Sequence, residues 1–423
     1  MTLDRSKAPD FRVPEDFELF PPTEFFLKNR AKLFFIPTPN LAAVKIEVIG
    51  RGNRASLSLD ETLVPSFTLQ MLQEGTISKT AEELANFFDF HASEVSPMLT
   101  YSHEGLSLLT TKKHLFEVIP VFLSLFTDCV FPEEYLEKKQ SQRILSIKLE
   151  KEKTASKASQ LFRKSLFGSN HAYGLETEEK HVDIITKDQL KSYYSELLWQ
   201  DLELFVCGDF EENELHHLCE LLGGLPNRKR VTEPFLPPAE TIYHVIESRK
   251  DAVQSSIRIG NWSISKTDPD FFAFSVFNTI LGGYFGSRLI KNIREDKGHT
   301  YGIYSSLAEI GDSNYWVIGA DVQKAFYQEV IEEIYFEIEK LVSEPIDEDE
   351  LEVVRNYLIG QMLSRFSSSY DLMDRFRSVH HSGLNFNYYT QKLAFLKSFT
   401  AVDVTRIGKK YFQQRPLIEV VVG

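Results

Sequence analysis

Two dozen residues of the second half concentrate the groups in this chain that could do chemistry. They run Asn278-Thr279-Ile280-Leu281-Gly282-Gly283, continue through Ser287-Arg288-Leu289, and end in Ile293-Arg294-Glu295-Asp296-Lys297-Gly298-His299-Thr300-Tyr301. By residue type this is a helix, a glycine break, a second helix, and a turn at Gly298 into a strand that carries Tyr301. A phosphate-cradling loop fails on context, because the glycine pair follows a helix and no Gly-Lys-Ser/Thr closes the run. Arg294 offers rigid charge-assisted donors and Tyr301 a phenolic one. The plainer alternative puts Arg294 in a surface ion pair with Glu295 or Asp296, and Tyr301 in a strand core.

The stretch resembles the second domain of the inverted-zincin peptidases, the pitrilysin, insulinase and processing-peptidase family. The pattern there is Leu-Gly-Gly, Ser-Arg-Leu, then Arg-Glu-x-x-Gly-x-x-Tyr. The resemblance implies that Arg294 and Tyr301 face a peptide near its scissile bond, where such donors hold a carbonyl and stabilise the developing oxyanion. It extends to residues 251–260 and 347–361, and more loosely to the first half.

The family's catalytic motif is missing. An inverted zincin needs His-x-x-Glu-His on a first-domain helix and a later Glu, supplying two imidazoles and a carboxylate for zinc and a general base for water. That string occurs nowhere in the chain. The run Met71-Leu72-Gln73-Glu74-Gly75-Thr76 resembles the segment after the motif, which places Ser66 and Gln70 at the histidine positions and Leu69 at the base. Ile144-Leu145-Ser146-Ile147 resembles the distal run, with Ser146 at the ligand position. Ser and Gln are poor zinc ligands and Leu takes no proton, so this chain is expected to hold no metal.

Other residues offer no replacement. His216-His217 and His380-His381 are adjacent pairs, which diverge by about 100° on a helix, and His103-Glu104 sits in a strand pattern. No nucleophile elbow or Walker sequence is present. Three unpatterned cysteines argue against a disulfide framework or a thiolate zinc site. A net charge of −14 disfavours nucleic acid, and the basic run Arg228-Lys229-Arg230 among prolines reads as a solvated linker. The N-terminal segment shows no signal peptide and no run reaches membrane-spanning length, which predicts a cytoplasmic protein.

The elements that must position these residues repeat. Strands are predicted at Leu33–Ile36, Val44–Val48, two within Ser93–Thr111 and one at Leu202–Val206, with helices at Pro65–Gln73, Thr80–Phe90, Lys113–Phe126, Pro132–Ser156 and Lys187–Leu198. Residues 242–422 repeat that order, ending in a strand at Ile418–Val422. The fold class is α+β: two tandem homologous domains, each a mostly antiparallel sheet covered by long helices on one face. The domains are 1–225 and 241–423, joined by a proline-rich linker at 226–240.

Two-domain members of the family include heterodimers in which one chain carries the zinc helix and the other supplies the Arg–Tyr pair. The resemblance therefore implies a non-catalytic subunit, inactive alone, with substrate-binding Arg294 and Tyr301 and zinc in a His-x-x-Glu-His partner of similar size. An isolated chain could pair with its own copy. The alternative is a structural or peptide-binding pseudopeptidase with no proteolytic role.

Overall fold

The computed structural model describes residues 19–52, 54, 57–230, 241–413 and 416–423. Most of the expected linker, residues 231–240, and most of the N-terminal segment lie outside the described residues. Eleven strands form two sheets among the described residues. The first contains β1 (Thr23–Phe26), β2 (Lys32–Pro37), β3 (Ala43–Arg51), β4 (Glu94–Leu99), β5 (His103–Thr111) and β6 (Glu203–Gly208). The second contains β7 (His244–Glu247), β8 (Gln254–Trp262), β9 (Thr300–Ile310), β10 (Ser313–Gln323) and β11 (Ile418–Val422).

The orders are β1-β2-β6-β3-β5-β4 and β7-β11-β8-β10-β9. Leaving out β1, they are the same order. In each, one parallel pair (β2 with β6, β7 with β11) joins an otherwise antiparallel sheet. The repeat read from hydrophobic pattern is thus a repeat of topology.

The helices of the first half are α1 (Val64–Met71), α2 (Ala81–Phe90), α3 (Leu115–Ser124), α4 (Glu133–Glu152), α5 (Thr154–Phe167), α6 (Glu179–Asp183), α7 (Lys187–Ser192) and α8 (Glu212–Leu222). Those of the second are α9 (Phe271–Asn278), α10 (Tyr327–Ser343), α11 (Glu348–Ser364), α12 (Ser369–His380), α13 (Asn387–Ser398) and α14 (Ala401–Tyr411). Each sheet buries one face under helices of its own half. Val44, Ile46, Val48, Leu106 and Leu204 pack with residues of α1 and α3, while Ile257, Ile259, Trp316 and Ile318 pack with residues of α9 and α10.

The opposite faces are covered by exchange. Helix α5 packs on β8 and β11, and α12 packs on β2 and β6. Ala158, Phe162 and Leu166 join Ile418, Val420 and Val422 in one core, and Phe376 meets Phe34 with ring centroids 4.9 Å apart. Arg258 of β8 donates to Ser159 Oγ at 3.0 Å and to the Ala155 carbonyl at 3.2 Å. Strands buried on both faces lose their alternation and become continuous apolar runs, as in Leu33-Phe34-Phe35-Ile36 and Leu204-Phe205-Val206-Cys207.

Two local expectations are corrected. The helix expected over Pro132–Ser156 breaks at Lys153, whose ψ of 118° is extended, and that break redirects the chain as α5 toward the second sheet. Arg228 is no free linker residue: its guanidinium donates to the Leu198 carbonyl at 2.9 Å, and its backbone N–H to that of Trp199 at 2.9 Å. No helix among the described residues is long and apolar enough to cross a membrane.

Candidate functional site

After α9 the chain makes two turns of π-helical geometry, Thr279–Gly283 and Ile290–Asp296, and then enters β9. Gly282 must be a glycine, because a Cβ there would lie 2.7 Å from the Ser305 backbone nitrogen. The Asn278 amide donates to the Ser305 carbonyl at 3.1 Å and fixes this approach. Arg288 makes a bidentate pair with Glu350 at 3.1 and 2.8 Å, tying the motif to α11. Asp347 caps α11 by accepting from the Glu350 N–H at 2.8 Å, but the Glu350 carboxylate goes to Arg288 and does not close a capping box.

Between Asp296 and β9, Gly298 turns the chain at φ +65°. Lys297 pairs with Glu333, and His299 lies 3.1 Å from Glu329 and stacks on Phe326, so residues of α10 hold the turn. This support brings Arg294 and Tyr301 side by side. The Arg294 guanidinium lies 5.3 Å from the Tyr301 ring centroid and 5.0 Å from that of Phe285. Tyr301 is 90% exposed and Phe285 64% exposed.

The plainer alternative for these residues does not hold. Tyr301 is outside the core, and among the described residues no carboxylate pairs with Arg294. The guanidinium lies over two exposed rings, a cation–π arrangement that orients it without neutralising it. Sequence reasoning missed Phe285. Its only signal is an aromatic residue between Tyr284 and Gly286, which says nothing of where the ring goes. Strand β9 ends its sheet.

The positions matching the family's zinc site hold other contacts. Helix α1 packs on α4. Ser66 Oγ donates to the Leu63 carbonyl at 2.8 Å, Leu69 is 1% exposed in the core, and Gln70 faces solvent. Ser146 Oγ donates to Glu150 at 2.8 Å and accepts from Arg143 at 3.2 Å. These residues do not fit a zinc ion, for want of any imidazole or thiolate and because the base position is occupied by a packed leucine.

The histidine doublets separate. His216 and His217 are exposed beside Glu220. His380 and His381 instead face Glu203 of the first sheet at 2.7 and 3.2 Å, and His381 stacks on His103 at 3.8 Å with the rings 8° from parallel. Burial opposes the charge on Glu203, but hydrogen bonds from both histidines hold its carboxyl far below the ordinary range. Burial, with the charges of His381 and Arg51, pushes His103 down to about 3.

Residues 185–358 match the sequence family described as "Peptidase M16 inactive domain". The chain is 24% identical over 353 residues to the uncharacterized zinc protease YmxG of Bacillus subtilis, covering 82% of this chain and 85% of that protein. It is 22% identical to the Helicobacter pylori protein named non-peptidase homolog YmxG, over 93% of each. Among solved structures, the peptidase M16 inactive domain from Pseudomonas fluorescens superposes with a TM-score of 0.83 at 20% identity, covering 95% of this chain and 98% of that one. The chain is thus similar to zinc-protease-like proteins of the peptidase M16 family, and Ser66, Leu69, Gln70 and Ser146 stand in its α1 and α4 where that resemblance places metal ligands and base.

Proposed function

We propose that this chain is the non-catalytic subunit of a zinc peptidase assembly, paired with a separate chain of similar size that bears His-x-x-Glu-His. The observation that carries this reading is the exposed Phe285–Arg294–Tyr301 stack beside an end strand, in a chain whose own metal positions are filled by Ser66, Leu69, Gln70 and Ser146. The metal and the base belong to the partner, where zinc would supply the Lewis acid and the activated water.

This chain's part is positioning. An extended peptide adds to a sheet edge such as that of β9 through main-chain hydrogen bonds. Arg294, held over two rings, presents N–H donors to a peptide carbonyl, and the Tyr301 hydroxyl adds another. A guanidinium already stacked loses little freedom on binding, so more of its interaction energy reaches the substrate. Its three cysteines are all unpaired, which fits the reducing cytoplasm.

The name of the Helicobacter pylori relative favours a second reading, a structural or peptide-binding homologue with no proteolytic role. Peptide cleavage by the purified chain mixed with a His-x-x-Glu-His companion tests both. The proposal expects cleavage above that of the companion alone, lowered at least tenfold in kcat/KM by Arg294→Ala or Tyr301→Phe. Cleavage no greater than the companion's rejects the proposal and leaves the second reading. Enhanced cleavage that ignores both substitutions removes the pair from the mechanism.

A further inference from the structure

Side chains from two helix ends converge in the first half. They are His91 at the end of α2, His114 in the turn that opens α3, and Glu117 in the first turn of α3. One ligating atom of each lies within 4.8 Å of the other two. None of the three belongs to the family's zinc positions or to the Arg294 stack, and their spacing in the chain forms no motif.

His91 is 7% exposed, and its Nδ1 lies 2.7 Å from the carbonyl oxygen of Phe87. A carbonyl only accepts, so Nδ1 carries the hydrogen and the Nε2 of a neutral ring is an acceptor. That Nε2 lies 3.2 Å from Glu117 Oε2, which is an acceptor too. A positive centre has to stand between them, either a proton or a metal ion. A proton would settle that contact alone. It would leave His114 Nδ1, which is buried without a hydrogen-bond partner and lies 3.9 Å from the same carboxylate oxygen.

One cation among the three atoms satisfies them all. Two ligands about 2.1 Å from a tetrahedral ion stand roughly 3.4 Å apart, between the 3.2 and 3.9 Å separations here. The bond from His91 Nδ1–H to a backbone carbonyl is the outer contact that metal-bound histidines make to fix tautomer and ring orientation. We propose that His91, His114 and Glu117 form a binding site for a divalent ion of the zinc class, with solvent completing its coordination. Two imidazoles and one carboxylate suit zinc or cobalt better than magnesium or calcium. Glu117 is 65% exposed, which leaves the open side to water. The ion would clip the end of α2 to the start of α3.

The test uses the full chain, stripped with chelator, titrated with zinc chloride by calorimetry and with cobalt chloride by visible absorption. One equivalent should bind, with the intense absorption of four-coordinate cobalt, and zinc should raise the melting temperature. His114→Ala and Glu117→Gln should each weaken binding more than about tenfold, whereas the double variant His216→Ala/His217→Ala should not. Glu117→Gln alters an exposed side chain, so its fold is not at issue, and circular dichroism checks His114→Ala. The proposal is overturned if the stripped chain takes up no stoichiometric zinc, or if binding survives either substitution undiminished.

Discussion

Arg377 of α12 is ion-paired with Glu47 of β3, so a cation from the second half neutralises a carboxylate buried in the first. The Glu47 side chain is 3% exposed. Lys45 lies 2.8 Å from Glu47 and 3.4 Å from Asp374, which Arg377 also reaches at 3.0 Å. This contact belongs to the exchange of α5 and α12, and it makes the two halves interdependent.

Replacing Arg377 by Ala would leave Glu47 with Lys45 as its remaining cation. Removing one partner of a buried pair costs about 3–5 kcal/mol. Because Lys45 remains, a loss near the low end, roughly 3 kcal/mol, is expected in urea denaturation. The double variant Glu47→Leu/Arg377→Met should recover most of that loss, since no lone charge stays buried. A single variant as stable as the parent would show that Lys45 alone neutralises Glu47.

The alternation Val44-Lys45-Ile46-Glu47-Val48 reads as a strand with a wet outer face, and β3 is indeed a strand. Its outer face is partly covered because Asp374 and Arg377 of α12 pair there with Lys45 and Glu47. Periodicity reports which residues share a face but not which distant helix covers it, so the exchange was hidden while the strands and their repeat were legible. The break at Lys153 was hidden for a related reason. The run Lys151-Glu152-Lys153-Thr154 has no Gly or Pro, and tertiary packing bends the chain there. At the candidate site, Gly298 and the spacing of Arg294 to Tyr301 could be read directly. The π-helical turns, which carry no residue signature, and the placement of Phe285 could not.

Acid should loosen the contact between the halves. His103 is pushed down to about 3, from an ordinary 6.5, by burial and by the charges of His381 and Arg51. The unfolded chain therefore takes up a proton that the folded chain refuses. The stability from this group is complete above pH 6.5 and is lost as pH falls toward 3. Glu203, also held low, works in the same direction, contributing above its ordinary 4.5 and less below it. Between pH 7 and pH 5, His103 alone accounts for about 2 kcal/mol. Chemical denaturation across that range should show this fall, and His103→Gln should flatten it. An equal slope in the variant would contradict the assignment.

Glu104 of β5 should act with the opposite sign. Burial raises its carboxyl to about 8, partly offset by the Tyr193 hydroxyl donating at 2.8 Å. A carboxyl raised in the fold holds a proton that the unfolded chain gives up, so stability is lost as pH climbs from about 4.5 toward 8. Glutamine mimics the protonated acid without titrating. Glu104→Gln is expected to match the parent near pH 4 and to exceed it by about 2–3 kcal/mol at pH 7. Equal stability at both pH values would mean that the buried carboxyl is already ionised.

Arg294→Lys separates charge from shape at the exposed stack. Lysine keeps the positive charge but has no planar face to lie against the rings of Phe285 and Tyr301, and no fixed fork of donors. Since Tyr301 and Phe285 are largely exposed, the substitution should change folding stability by less than about 0.5 kcal/mol. Peptide affinity of the chain, measured by fluorescence anisotropy with an unfolded peptide, should fall nearly as far as in Arg294→Ala. Phe285→Leu should give a smaller loss, because it removes one of the two ring contacts and leaves the donors in place. If the lysine variant binds like the parent, the site reads charge alone, and the two rings have no part in holding the guanidinium for a carbonyl.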